Sequence, residues 1–480
     1  MPVVEFGTDG IRGTAGEWPT DAQGALQVGL GIGSYLRRQM PAPAVVIGRD
    51  TRSSGSALAS GVTTGLLSQG VRVIDVGVIT TAGAAYLARK HGLAASVMIS
   101  ASHNPWTENG IKVMGGDGYK ISDDAEQAIA EEITRLIEQG AGQHTFGVLE
   151  QQPGWVEEYI EFLTAHFAGG KLAGLRVGID CSHGAASAIA GRCFELVGCQ
   201  TFVIGADPDG MNINRGAGSE VVRNGKAALY DLVREHKLDL AVAFDGDADR
   251  AVFIDETGKM LDGDHVLFIL GGYLKAKGQL GGNKVVSTVM ANSGLDHALN
   301  SQGITLLRTK VGDKYIVREM LANGYSLGGE QSGHILIFDD PEHTTGDGIY
   351  TALYMAGVLA ESRPETLHTL AAPLIKLPQV VASARVASKP DLDEIEALKR
   401  MRAEISSALG EGVTMNTRYS GTEPVFRTMM EGRADHSLED IARHAVSLCR
   451  AVQAAAGNPG DVIEVKDTTT GSLIDISGLE

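Results

Sequence analysis

The chain has 480 residues and a net charge of −18, with 43% hydrophobic side chains and 62 glycines. That charge opposes binding to a nucleic-acid polyanion or an anionic membrane surface, and at roughly 100–200 residues per domain the length predicts about three or four domains. The four cysteines, Cys181, Cys193, Cys199 and Cys449, form no CxxC pair, which argues against a thiolate zinc site and for reduced thiols in a cytosolic protein.

The first residues, "MPVVEFGTDGIRG", carry no basic segment followed by an apolar one, so no secretory leader is expected. No apolar run reaches membrane-spanning length. Together these predict a cytoplasmic enzyme or binding protein with no membrane or nucleic-acid partner.

Strand and helix signals then alternate. "AVVIG" (44–48) is a short apolar strand, and residues 54–69 carry helical spacing through Leu58, Val62 and Leu66. "VRVIDVG" (71–77) is a strand, 82–91 a helix, and "AASVMIS" (94–100) a third strand. This alternation predicts a largely parallel, doubly wound sheet. It recurs as "LRVGID" (175–180), a helix at 185–197, "QTFVIG" (200–205) and "LDLAVAFDGD". A third unit runs from "NKVVSTVM" (283–290) through "ITLLRT" (304–309) and a helix ending near Gly324 to "YSLGGEQSGHILIF". The end differs: a helix at 392–409, the strands "VTMNTRYS" and "VFRTMMEG", and a helix at 438–455 suggest a smaller α+β unit with antiparallel pairing. The last stretch, from Gly457 onward, reads as a polar, glycine-rich and partly mobile tail.

The expected class is therefore α/β: three similar α/β domains with mixed, largely parallel sheets and a C-terminal α+β domain. The divisions fall at 1–150, 151–256, 257–375 and 376–480. Each unit carries one stretch with chemical potential.

In "SASHNP" (100–105), Ser102 lies just past a strand end, where open α/β sheets place ligands. Neighbouring side chains diverge on an extended backbone, so Ser102 and His103 are not expected to pair as nucleophile and base. A plain Ser/Asn/Pro turn explains the stretch about equally well.

In "FDGDADR" (244–250), Asp245, Asp247 and Asp249 alternate. Three close carboxylates repel unless a cation lies between them, and hard oxygen ligands suit Mg²⁺ or Ca²⁺. An EF-hand loop fits Glu256 at position twelve but fails at position six, where Arg250 replaces the required glycine. A solvated acidic turn is the bland alternative.

"GGEQSGH" (328–334) offers Glu330, Ser332 and His334 for sugar hydroxyls, though a hairpin turn explains it nearly as well. In "RYSGTEPVFR" (418–427), Arg418 and Arg427 bracket Ser420, Gly421 and Thr422. Arginine grips phosphate bidentately, and hydroxyls and loop amides add donors. An arginine pair bridged to Glu423 is the rival. Arg12 and Lys112 add cations that singly read as surface charges. A hydroxyl, a divalent cation, a sugar loop and a phosphate loop are the parts of phosphoryl transfer through a phosphorylated enzyme, with Lys112 and Arg250 placed to stabilise the moving group.

These stretches, with "FGTDGIRG" (6–13), "GRDTRSSG" (48–55), "NGIK" (109–112) and "TTGDG" (344–348), occur in an order that resembles the α-D-phosphohexomutase family over nearly the whole chain. The resemblance implies four domains around a central cleft and a phosphorylated Ser102. It implies one Mg²⁺ per active site held by Ser102, Asp245, Asp247 and Asp249. Glu330 and Ser332 would grip sugar hydroxyls, and Arg418, Ser420, Gly421, Thr422 and Arg427 the phosphate that stays. Arg12, Lys112, Arg250 and His334 would serve phosphate contact and proton transfer. The substrate would be a hexosamine phosphate, shuttled between its 6- and 1-phosphates through a sugar bisphosphate that also primes the enzyme. Gln331 and "DGMNIN" (209–214) favour the amino sugar over glucose or mannose phosphates. Ala248 departs from the family's usual glycine, and "AGS" (217–219) from its usual "CGS". A non-catalytic sugar-phosphate binder and a metal-dependent phosphatase are the rivals of other classes, and the chain is expected to be a monomer or homodimer.

Overall fold

The computed structural model describes residues 4–7, 9–140, 146–410, 412–420, 424–457 and 462–477. Four sheets follow one another along the chain. The first orders Ile11–Thr14, Glu108–Gly115, Ala95–Ile99, Ala44–Arg49, Arg72–Val78 and Leu149–Gln151. Its last four strands are parallel and its first two antiparallel. The second orders Met260–Leu261, Ala251–Asp255, Leu240–Phe244, Arg176–Asp180 and Gln200–Ile204, parallel at one end and antiparallel at the other. Its edge strand Met260–Leu261 lies past the division placed at 256. The third orders Thr305–Thr309, Lys284–Thr288, Leu327–Gly329 and Ile335–Ile337, with only the last pair antiparallel. The fourth is wholly antiparallel.

Each of the first three sheets thus mixes βα units with antiparallel hairpin pairing, two such hairpins following one another in the second. Fully buried strands such as Ala95–Ile99 and Leu240–Phe244 read as continuous apolar runs because both faces are covered. Helix Ala22–Gln39 starts where the Asp21 carboxylate accepts from Gly24 N at 2.6 Å. It lies directly on helix Gly55–Ser68: a Cβ on Gly65 would sit 2.4 Å from Leu26 O. Only glycine allows that backbone approach. Helix Gly348–Glu361 is buried almost throughout and helps form one apolar core shared by the first three units. A separate core fills the fourth.

Two expectations change. The helix placed at 185–197 is a 3₁₀ turn, Ala185–Ala188, followed by a short helix, Ala190–Leu196, with Ile189 joining them. The tail is not simply mobile. Ile463–Asp467 pairs antiparallel with the strand Gln379–Arg385, and Ile463 and Val465 enter the core. Alternation of Ile463, Val465 and Asp467 with Glu464 and Lys466 was the available signal for a half-buried strand.

Candidate active site

All four chemical stretches occupy the same kind of place. Each connects the two strands of an antiparallel hairpin: after Ala95–Ile99, after Leu240–Phe244, after Leu327–Gly329 and after Thr414–Tyr419. The hairpins aim these turns at one cleft of about 290 Å³. Arg12, His103 and Lys120 come from the first unit, and Asp249 and Arg250 from the second. Asp313, Glu330 and His334 come from the third, and Arg418, Ser420 and Arg427 from the fourth. Gly421 and Thr422 lie outside the described residues.

Ser102 lies under this cleft, fully buried. Its Oγ donates to Asp245 Oδ2 at 2.6 Å. The chain turns left-handed at Ser102, φ 53°, and that overturns the expected divergence of neighbours: Ser102 Oγ is 3.3 Å from His103 Nδ1. The same Nδ1 faces Arg250 Nη1 at 3.0 Å. Guanidinium only donates, so Nδ1 is the acceptor nitrogen. Burial, with Arg250 beside it, pushes the His103 pKa down to about 3. At neutral pH this imidazole is uncharged and a poor proton acceptor, so no base role follows from the contact.

Asp245, Asp247 and Asp249 are buried, with one oxygen from each lying within 4.8 Å of the others. Burial first, then Asp249 and Asp247, raise the Asp245 pKa. Asp247 Oδ2 accepts from Lys112 Nζ at 2.7 Å and from Thr81 Oγ1 at 2.5 Å. Asp247 Oδ1 and Asp249 Oδ1 are buried without a hydrogen bond among the described residues. Unspent buried carboxylate oxygens are costly unless something neutralises them, and hard oxygens in such a cluster suit a divalent cation. The residues therefore fit a metal.

Lys112 is itself only 2% exposed, so it does not line the cleft. It works from beneath, between Asp247 and Asp9 Oδ2 at 2.8 Å. Burial opposes its charge, but Asp247, Asp9 and Asp249 outweigh that and raise its pKa. Arg12 contacts Asp9 and donates to Ala101 O at 3.2 Å.

His334 lies 3.7 Å from Asp249 Oδ2 and 3.8 Å from Asp313 Oδ2. Burial disfavours its charge, yet Asp249, Asp313 and Glu330 hold its pKa up at about 9. Burial likewise raises Glu330. Ser332 Oγ is buried with no hydrogen bond among the described residues. Arg418 and Arg427 face each other across paired strands. Burial, then Arg427, lower the Arg418 pKa. Two guanidiniums held side by side create a place for an anion.

Gln331 is not at the cleft. Its amide donates to Asp264 Oδ2 and Gln379 Oε1, both at 3.2 Å, in a buried seam between the third and fourth units. Any bearing on sugar choice is indirect, through the adjoining Glu330 and Ser332.

Sequence reasoning missed Lys120, Asp313 and Asp9, which form a chain of ion pairs along one wall: Lys120 Nζ is 2.7 Å from Asp9 Oδ1 and 2.8 Å from Asp313 Oδ2. Asp9 lies within "FGTDGIRG" but carries no assigned role there, and no local pattern marks Lys120 or Asp313, because the three meet only in three dimensions. It also quoted "GRDTRSSG" without assigning Arg52. That guanidinium is buried and donates to Asp50 Oδ2 and to the carbonyls of Ser102, Asn104 and Glu108.

Comparison with known proteins agrees with this architecture. Residues 3–140, 157–258 and 262–377 match alpha/beta/alpha domains I, II and III of phosphoglucomutase/phosphomannomutase, and residues 382–447 match its C-terminal domain. The chain belongs to this family, the α-D-phosphohexomutases, and is an intramolecular phosphotransferase of the isomerase class. Within the family it is most like the phosphoglucosamine mutases. The one from Solibacter usitatus is 41% identical, covering 94% of this chain and 99% of that one. That of Geobacillus kaustophilus is also 41% identical, over 93% and 98%. Among solved structures, a phosphoglucomutase/phosphomannomutase family protein from Burkholderia thailandensis superposes with a TM-score of 0.77 at 23% identity, over 95% of this chain and 98% of that one. Aspergillus fumigatus N-acetylphosphoglucosamine mutase, solved with GlcNAc-6P and magnesium, gives 0.66 at 16% identity, over 95% and 96%. At such identities these two show the shared fold. The family uses a metal ion, and the aspartate cluster is where this chain could bind one.

Proposed function

We propose that this protein interconverts glucosamine 6-phosphate and glucosamine 1-phosphate, with Ser102 as the phosphate carrier. The observation that carries this reading is Ser102 Oγ seated 2.6 Å from Asp245 at the floor of a cleft walled by all four units. A binding protein has no use for a buried hydroxyl bonded to one carboxylate of an aspartate cluster.

In this reading Arg418, Ser420 and Arg427 hold the phosphate that is not moving, with Gly421 and Thr422 assigned to the same loop. Glu330 and Ser332 orient the sugar hydroxyls. Asp245, Asp247 and Asp249, with Ser102, would hold Mg²⁺, which supplies charge neutralisation for the transferring group. Lys112 holds Asp247 in place from below. Arg12 and Arg250 face the cleft beside Ser102 and contact the phosphoryl oxygens. His334, set between Asp249 and Asp313 at the wall, is placed to donate a proton. The sugar accepts phosphate from Ser102, reorients as a bisphosphate, and returns the other phosphate to Ser102. A sugar bisphosphate therefore primes unphosphorylated enzyme. We place the protein in the cytoplasm, as monomer or homodimer.

The test compares turnover of glucosamine, glucose and mannose 6-phosphates on phosphorylated protein, with intact mass measured alongside. Glucosamine 6-phosphate should be the best substrate, and one phosphate should map to Ser102. Ser102→Ala should carry none and turn over nothing. Wild-type activity in that variant would remove the carrier mechanism, and a poorest rate with glucosamine 6-phosphate would overturn the sugar assignment.

A further inference from the structure

The carrier's aim depends on a side chain from the neighbouring unit. Ser102 is held at φ 53°, a conformation that is costly for a non-glycine residue and persists only where surroundings over-determine it. Two carbonyl oxygens of its loop, those of Ser102 and Asn104, each accept two hydrogen bonds. Arg52 Nη2 supplies one to each, at 2.9 Å. Asn214 Nδ2 supplies the other to each, also at 2.9 Å.

Arg52 belongs to the same unit as the loop. Asn214 belongs to the second unit, on the segment before helix Ser219–Arg223. Its amide orientation is fixed by what surrounds it. Ser182 Oγ donates to Asn214 Oδ1 at 2.6 Å, and Asn214 N donates to Ser182 O at 2.9 Å. The two loop carbonyls can only accept, so the NH₂ must face them.

The aspartate loop stands on the same unit and on the same spot. A Cβ on Gly246 would lie 2.4 Å from Ser102 O and 3.1 Å from Asn214 Nδ2. Among the described residues seven non-glycine positions have positive φ, and three of them, Ser102, Ser182 and Asn214, take part in these hydrogen bonds.

We infer that Asn214 is a positioning residue, which reaches from the second unit into the serine loop and, with Arg52, fixes the two carbonyls that decide where Ser102 Oγ points. Because Asn214 and the three aspartates share one unit, its grip on the serine loop registers Ser102 on Asp245. Asn214 touches no reacting atom. Its effect passes through the loop backbone.

This inference rests on the carrier reading above, and the experiment separates the two. The variants are Asn214→Ala, Asn214→Asp and Ser182→Ala, each phosphorylated and assayed by steady-state and single-turnover phosphoryl transfer, with melting temperature recorded. Asn214→Asp keeps size and the Ser182 contact but turns an oxygen toward two carbonyls. It and Asn214→Ala should lower kcat and the single-turnover rate together, by about 10- to 100-fold, the scale expected for an ångström-level misplacement. KM for the sugar phosphate should hold, because Arg418 and Arg427 are untouched. Ser182→Ala, which leaves the amide in place but free to turn, should fall between, and serves if the others fold poorly. Wild-type kcat in folded variants, or equal losses in kcat and 1/KM that track melting temperature, would overturn the positioning role. Absence of phosphate on Ser102 in the wild type would instead overturn the carrier reading and this inference with it.

Discussion

Two neighbouring residues of the aspartate loop respond oppositely to the same small change. Gly246 has no room for a Cβ, since Ser102 O would lie 2.4 Å away. Gly246→Ala must displace the serine loop, and kcat should fall about 100-fold with little change in KM. Ala248 already occupies a left-handed conformation, φ 57°, where glycine carries no steric penalty. Ala248→Gly relieves that penalty while loosening the unfolded chain, two effects of about 1 kcal/mol or less that oppose each other. Its kcat and melting temperature should therefore stay near wild type. A large loss in Ala248→Gly would show that the Ala248 methyl, buried in the core, matters more than backbone strain. Paired assays of the two variants check both statements.

At the scale of elements, the fourth sheet sets two arginines opposite each other on adjacent strands, Arg418 against Arg427. Facing like charges destabilise a strand pair, so the arrangement makes sense as a grip for the phosphate that stays bound throughout. Arg427→Ala should raise KM about tenfold or more and lower kcat much less. The opposite split would exchange the two phosphate roles. Helix packing in the first unit carries a pH dependence. On helix Asp123–Gln139, Glu132 accepts from Arg135 Nε at 3.0 Å, from Ser34 Oγ at 2.6 Å and from Arg38, the last two on helix Ala22–Gln39. Arg135 first, helped by Ser34 and Arg38 against the burial penalty, lowers its pKa from 4.5 to about 2. A depressed carboxylate pKa stabilises the fold above the unfolded value, and that contribution is lost as pH falls toward the folded one. Glu132→Gln should cost about 1–2 kcal/mol at neutral pH, allowing for the exposed arginine heads. The gap to wild type should shrink steadily below about pH 4.5, as read from urea unfolding midpoints.

For the whole molecule, the cleft exists only where four units meet, so a ligand that bridges them binds the assembled state alone. Ligand in excess of its dissociation constant stabilises by mass action, by about 2.7 kcal/mol at a hundredfold excess. A sugar bisphosphate should raise the melting temperature of wild type and of Ser102→Ala alike, because both keep Arg418 and Arg427. The shift should largely vanish in Arg427→Ala. A shift lost in Ser102→Ala but kept in Arg427→Ala would mean that binding depends on the serine floor and not on the arginine pair. The buried seam of Gln331, Asp264, Gln379 and Glu431 joins the third and fourth units behind the sugar loop.

The sequence by itself determined the class of fold, the family and the main chemical groups. Apolar runs, turn residues and charged clusters are local, and Ser102, the three aspartates, Glu330 and the arginine pair each sit in a short stretch whose composition already points to its chemistry. Tertiary structure decided what touches what. The hairpins of the first two units went unread because strand direction is set by sheet pairing, not by local pattern, whereas a hairpin was one reading of "GGEQSGH" and antiparallel pairing was expected of the last unit. Ser102 meets His103 because one backbone angle turned left-handed, which residue identity alone does not announce. Lys112 serves Asp247 from below the cleft, Gln331 faces a domain seam, and Asn214 grips the serine loop. These partners are tens to hundreds of residues apart, and only the packing of one unit on another brings them within hydrogen-bonding distance.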